Sequence, residues 1–123
     1  FEKSGLKPAD IDMFHPYDDF IIAVMMQLEQ FGFCDIGKGS EYVMATDLSY
    51  KGDLPLNTGG GQISAGQPGL AGGGLNLVEA IRQLFGEGEA RQVDNPKNAL
   101  VTGIGVIPYG RNWGTSAAMI LEI

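Results

Sequence analysis

Between Asn57 and Gly74 the chain reads Asn-Thr-Gly-Gly-Gly-Gln-Ile-Ser-Ala-Gly-Gln-Pro-Gly-Leu-Ala-Gly-Gly-Gly. No other stretch restricts the possible folds so strongly. The 123 residues include 19 glycines, about twice the ordinary share of roughly 7%. Further glycines gather at Gly103, Gly105, Gly110 and Gly114. They follow no collagen-like period, and apolar segments separate the clusters. Special backbone geometry and close packing explain them better than low complexity. A glycine loop leading into a helix can also cradle a phosphate. However, the spacing is neither the dinucleotide fingerprint nor the P-loop, and no lysine occurs between Gly52 and Lys97. Composition therefore favours glycines that let a helix start lie against another backbone.

Hydrophobic residues make up 44% of the chain and charged residues 19%, a globular balance. One modest domain is expected over residues 1–123. The net charge of -7 argues against a nucleic-acid partner, which usually demands a basic patch. The longest apolar run, Phe20 to Met26, is far short of the roughly 20 residues that span a bilayer. A lone cysteine, Cys34, and a lone histidine, His15, leave no basis for a disulfide, a cysteine-based zinc site or a multi-histidine metal centre. Cytoplasmic location is the corresponding expectation. The chain opens at Phe1, and its first residues read as the middle of a longer polypeptide.

Hydrophobic patterning predicts a short strand at Ile11–Phe14, ended by His15 and Pro16. Asp18 and Asp19 are placed to cap a helix running to about Gln30, with Gly32 beyond its end. Apolar residues surround most of that helix, which predicts burial on more than one side. Cys34 to Thr58 reads as irregular. A second helix is expected over Leu75–Phe85, burying Leu77, Val78, Ile81, Leu84 and Phe85 while Glu79, Arg82 and Gln83 face away. Glu87 to Lys97 reads as a solvated connector. Strands at Ala99–Ile107 and Ser116–Ile123 are expected to pair as an antiparallel hairpin across Pro108–Thr115. This order implies an α/β fold, a mixed sheet covered by helices.

Four ordered segments then point to a family. Asn57-Thr-Gly-Gly-Gly…Gly66-Gln67-Pro68-Gly69…Gly72-Gly73 is similar to the thiolase loop Asn-x-x-Gly-Gly…Gly-His-Pro-x-Gly-x-x-Gly. Tyr17-Asp18-Asp19-Phe20 stands where the sterol-carrier branch has His-Asp-Cys-Phe. Phe31-Gly32-Phe33-Cys34…Gly37-Lys38-Gly39 is similar to that branch's Gly-Phe-Cys…Gly-Glu-Gly. Tyr109-Gly-Arg-Asn-Trp-Gly114 falls where thiolases carry their second reactive cysteine. The chain thus resembles the C-terminal half of the thiolase superfamily, in its sterol-carrier or lipid-transfer branch. The resemblance implies a thiolase-like C-terminal domain that belongs to a larger polypeptide and works as a homodimer.

The departures bear on chemistry. Gln67 replaces the family's activating histidine and cannot take up a proton near neutral pH, although its amide forms hydrogen bonds. Tyr17 replaces the oxyanion-hole histidine, and its hydroxyl can still donate to a developing oxyanion. Gly110 lies at or near the position of the second cysteine. Cys34 does not align with that cysteine and reads as a small buried thiol. Two-cysteine, two-histidine thiolysis is therefore not expected. Thiolase-like aldolases of steroid breakdown are similar in having tyrosines in the site, and they work with an OB-fold and zinc-ribbon partner protein. The resemblance implies retro-aldol cleavage of a β-hydroxyacyl-CoA, with coenzyme A as part of the substrate and no covalently bound cofactor or metal. Tyr17, Gln67 and Tyr109 are the candidate catalytic residues. The alternatives are an acyltransferase with a substituted site and a thiolase-like scaffold subunit without activity. Each residue also has a plainer role: Tyr17 could staple a turn, and Gln67 could satisfy loop backbone. Asp18 and Asp19 are read as caps, and His15 as locally hydrogen-bonded. Arg111 and Trp113 could form a cation–π or partner-contact surface, or simply pack.

Overall fold

The structure, a computed structural model, describes residues 1–105 and 115–123. Its sheet places β1 (Phe14–His15) beside β2 (Asn98–Gly105), and β2 beside β3 (Thr115–Glu122). β1 runs parallel to β2, with Phe14 opposite Leu100 and His15 opposite Val101. β2 and β3 are antiparallel from Asn98↔Glu122 to Gly105↔Thr115. The expected mixed sheet and strand pair are both present. The first strand starts three residues later and ends one residue later than expected, and is joined by hydrogen bonds from Phe14 N–H to Pro55 C=O and from Leu100 N–H to Met13 C=O.

Helices cover both faces of β2, which explains its unbroken apolar run. Ala99 and Val101 meet α4 (Gly72–Leu84) in a cluster with Met13, Ala80, Leu84 and Val93. Leu100 points the other way, into a cluster with Ile11, Phe14, Leu28 and Leu54 beneath α1 (Ile21–Gln30). Half-buried Cys34 packs at the edge of this second cluster. The residues expected to be irregular contain α2 (Gly39–Ala45), and the glycine loop contains α3 (Gly61–Ala65). Both helices are too short to generate a clear apolar period.

The structure corrects two helix faces. α1 buries only Ala23, Gln27 and Leu28, whereas Ile21, Ile22 and Met26 lie exposed. One stripe of the helix meets the sheet, so burial on several sides does not follow from its apolar circumference. In α4, Glu79 and Gln83 are buried, whereas Val78, Ile81 and Phe85 are exposed. Their polar atoms find partners inside the fold, and those partners decide which face turns inward. The expected connector is only partly solvated, since Val93 belongs to the core. No helix among the described residues is long and apolar enough to cross a membrane.

Candidate active site

The segment His15–Asp19 leaves the end of β1 and is gripped from several directions. Pro16 C=O accepts hydrogen bonds from Asn57 Nδ2 at 3.0 Å and Asn76 Nδ2 at 2.7 Å. Tyr17 N–H donates to Thr102 Oγ1 at 2.9 Å, and Tyr17 C=O accepts from Gln27 Nε2 at 2.9 Å. Asp18 does not cap α1, whose N-terminal flank at Phe20 has no side-chain cap. Its carboxylate instead accepts from Gln62 N–H at 2.8 Å and Ile63 N–H at 3.3 Å. It thus fastens α3 to this segment, a long-range use of the capping chemistry expected for α1. Gly60 and Gly61, at φ 95° and 59°, make the turn that presents those N–H groups. A side chain on Gly61 would collide with the Asp18 carboxylate. Asp19 also fails to cap α1. Its Oδ1 is buried without a partner among the described residues, and desolvation raises its pKa.

The sequence-selected pair meets. Gln67 Nε2 donates to Tyr17 Oη at 2.6 Å, across 50 residues of chain. The final glycines of the loop make room for this contact. A Cβ on Gly72 would lie 2.5 Å from Gln62 Oε1 and 3.1 Å from Gln67 Cγ, and one on Gly73 would touch the Tyr17 ring at 3.9 Å. Gln62 Nε2 closes the loop by donating to Gly72 C=O at 2.6 Å. Tyr17 is 9% exposed, and Gln67 is exposed. The phenol is therefore anchored at its base and meets an exposed side chain at its tip. Tyr109, with Gly110, Arg111 and Trp113, lies outside the described residues.

Two neighbouring features lie outside the three candidate catalytic residues. His15 is fully buried, and neither ring nitrogen has a hydrogen-bond partner among the described residues. The expected local hydrogen bond is absent among the described residues, and His15 lines a cavity of about 200 Å³ with Asn57, Asn76, Glu79 and Arg91. Burial lowers the imidazole pKa from 6.5 to about 4, against an upward pull from the Glu79 charge. His15 is consequently neutral near pH 7.

Glu79 is the second feature. Arg91 reaches it through Nε at 3.0 Å and Nη2 at 2.8 Å, Thr58 Oγ1 at 2.8 Å and Gln83 Nε2 at 3.0 Å. Burial alone would raise its pKa. Hydrogen bonds from Arg91, Gln83 and Thr58, with the Arg91 charge, prevail and lower it to about 2. This network ties Thr58, in the glycine loop, to α4. The helical spacing of Asn76, Glu79 and Gln83 could have marked a buried polar stripe on one face.

Comparison with known proteins adds a family. The model for the "Thiolase C-terminal domain-like" family matches residues 1–122. Sterol carrier protein 2 from Bos taurus is 40% identical over 106 residues, covering 86% of this chain and 20% of that protein. The steroid side-chain-cleaving aldolase of Thermomonospora curvata is 37% identical over 112 residues, covering 89% of this chain and 27% of the aldolase. A solved chain of the Ltp2-ChsH2(DUF35) aldolase superposes with a TM-score of 0.81 at 33% identity, covering 98% of this chain and 29% of that one. The chain therefore spans between about a fifth and just over a quarter of the length of the curated relatives it matches.

Proposed function

Because this chain belongs to the thiolase C-terminal domain-like family, we propose that it supplies part of the active site of a thiolase-like carbon–carbon lyase. The substrate is a β-hydroxyacyl-CoA thioester, and the reaction is retro-aldol cleavage. A base takes the β-hydroxyl proton, and the Cα–Cβ bond breaks as the carbonyl of the released ketone or aldehyde forms. The electron pair moves onto the thioester as an enolate, which is then protonated at Cα. No acyl-cysteine is required.

The observation that carries this reading is the hydrogen bond from Gln67 Nε2 to Tyr17 Oη. With Oη accepting from the amide, the Tyr17 O–H is left to donate elsewhere. It is suited to the oxygen of the developing enolate, where a positioned donor is worth most. Gln67 holds the phenol and stabilises any negative charge that grows on it. Tyr109 is a third candidate group. Similarity to a steroid side-chain-cleaving aldolase supports lyase chemistry and a steroid-like acyl group. The two-component name of the Ltp2-ChsH2(DUF35) aldolase supports a partner protein, for which the OB-fold and zinc-ribbon type is proposed. We also propose a homodimer.

The complete polypeptide carrying this chain, with its partner, tests the proposal when incubated with a β-hydroxyacyl-CoA. Release of a ketone or aldehyde is expected, and Tyr17→Phe is expected to slow it by about 10²-fold. Acyl transfer to free CoA without cleavage would replace this reading by the acyltransferase one. No turnover of either kind would favour the scaffold. An undiminished Tyr17→Phe rate would remove the phenol from the mechanism.

A further inference from the structure

The Tyr17 main chain is held by a polar device that no ladder or helix requires. Pairing between β1 and β2 ends at His15↔Val101. The next inward-directed N–H on this segment, that of Tyr17, donates to the Thr102 side chain instead of the β2 backbone. On the other side of the same residue, Tyr17 C=O accepts from Gln27 Nε2, whose second proton goes to Ala23 C=O at 3.1 Å. Thr102 Oγ1 then donates to Gln27 Oε1, closing the ring. Thr102 is 4% exposed and Gln27 9%.

Within this ring every proton has one place to go. Thr102 Oγ1 accepts from Tyr17 N–H, so its own proton is committed to Gln27. Both Gln27 amide protons are used, and its oxygen is occupied. A satisfied buried network of this kind is rigid, and losing one member leaves the others unpaired at full desolvation cost. β2 supplies Thr102 and α1 supplies Gln27, two elements that otherwise meet through apolar packing. An apolar pair could fill the same space. What only the polar pair does is fix both peptide groups that flank the Tyr17 Cα.

We propose that Thr102 and Gln27 are positioning residues that aim the Tyr17 hydroxyl, an inference that rests on the role assigned to Tyr17 above. The lever is long, since the backbone at one end of the side chain sets the reacting oxygen at the other. A displacement of about 1 Å at a reacting group can cost on the order of 10²-fold in rate. The pair touches neither Tyr17 Oη nor Gln67, so its influence passes through the backbone.

The test uses the complete polypeptide with its partner and a β-hydroxyacyl-CoA substrate. Thr102→Val, which keeps shape and loses the hydroxyl, is expected to lower kcat by about 10- to 10²-fold while KM moves less than about threefold. Thr102→Ser is expected to regain most of that loss. In a Tyr17→Phe background, Thr102→Val is expected to change kcat by less than about twofold, because there is no hydroxyl left to aim. Gln27→Met is read in the same way should Thr102→Val not fold. A slow Tyr17→Phe beside an unimpaired Thr102→Val overturns the positioning role and leaves the Tyr17 reading standing. Equal losses from Thr102→Val with and without the Tyr17 hydroxyl overturn it too. An unimpaired Tyr17→Phe overturns the Tyr17 reading, and the positioning role with it.

Discussion

His15 offers a test of the buried environment behind the site. Its imidazole is 0% exposed and has no hydrogen-bond partner among the described residues. Its pKa is 6.5 in the unfolded chain and about 4 in the fold. The folded value is depressed, so the unfolded state binds the proton more readily. Stability from this residue is present above about pH 6.5 and is lost as the pH falls towards 4. Integrating the two titrations gives a loss of about 2 kcal/mol between roughly pH 7 and pH 5, approaching about 3 kcal/mol near pH 4.

The charged groups around the ring do not obscure that window. Glu79 is lowered to about 2 from 4.5, so its stabilising charge is lost only below about pH 4.5. Arg91, also in the cavity wall, keeps its charge throughout, because Glu79 raises its pKa further. Asp19, raised by burial, works in the opposite sense. The measurement is urea unfolding of the complete polypeptide, followed by far-ultraviolet circular dichroism at several pH values. His15→Leu removes the titrating group without orphaning a partner among the described residues, where the ring has none. Between pH 7 and pH 5 the wild type is expected to lose about 2 kcal/mol more than His15→Leu. Parallel pH profiles for the two proteins would refute the argument and mean that His15 is solvated or paired in the native state.

Gly72→Ala puts a methyl group 2.5 Å from Gln62 Oε1 and 3.1 Å from Gln67 Cγ. It is expected to displace the glutamine that holds Tyr17, so a fall of at least about 10-fold in cleavage rate is the outcome to look for. Glu79→Gln keeps the shape of the Arg91 partner but removes its charge, leaving Thr58 and Arg91 poorly matched. Arg91 retains solvent contact (35% side-chain exposure), so denaturant unfolding should show a loss of only about 1–2 kcal/mol.

The fold was legible because its strongest signals are local and cooperative. Ala99 to Val101 is buried on both faces, and a run of that kind reads as strand wherever it occurs. Tyr17 and Gln67 were legible through aligned motifs, since nothing local to residue 17 announces a partner at residue 67. The misreadings share a cause. Sequence patterns treat a polar residue as solvent-facing, but Glu79 and Gln83 carry their polar partners inward with them. Asp18 reads as a capping residue, and local rules give it to the adjacent helix. Its partners, Gln62 and Ile63, are 44 and 45 residues away, a distance that no local rule spans. His15 meets the same limit, since a ring without partners among the described residues leaves no trace in spacing.

The anchoring of Tyr17 also accounts for how a thiolase-like scaffold accommodates a different side chain here. Asn57 and Asn76 hold the Pro16 carbonyl, Thr102 and Gln27 hold the Tyr17 peptide groups, and Asp18 fastens α3. All of these grips fall on main chain or on residue 18. Among the described residues, Gln67 alone bonds the Tyr17 side chain, at its far end. The segment's position is thus set independently of what residue 17 carries, so a phenol can stand where the resembled branch has an imidazole without rebuilding the frame. The cost of the exchange falls on the partner at position 67, which must match a hydroxyl. An amide donor does so at 2.6 Å. On this argument, Tyr17 and Gln67 form one chemical unit, and the buried grips beneath them set where its hydroxyl is held.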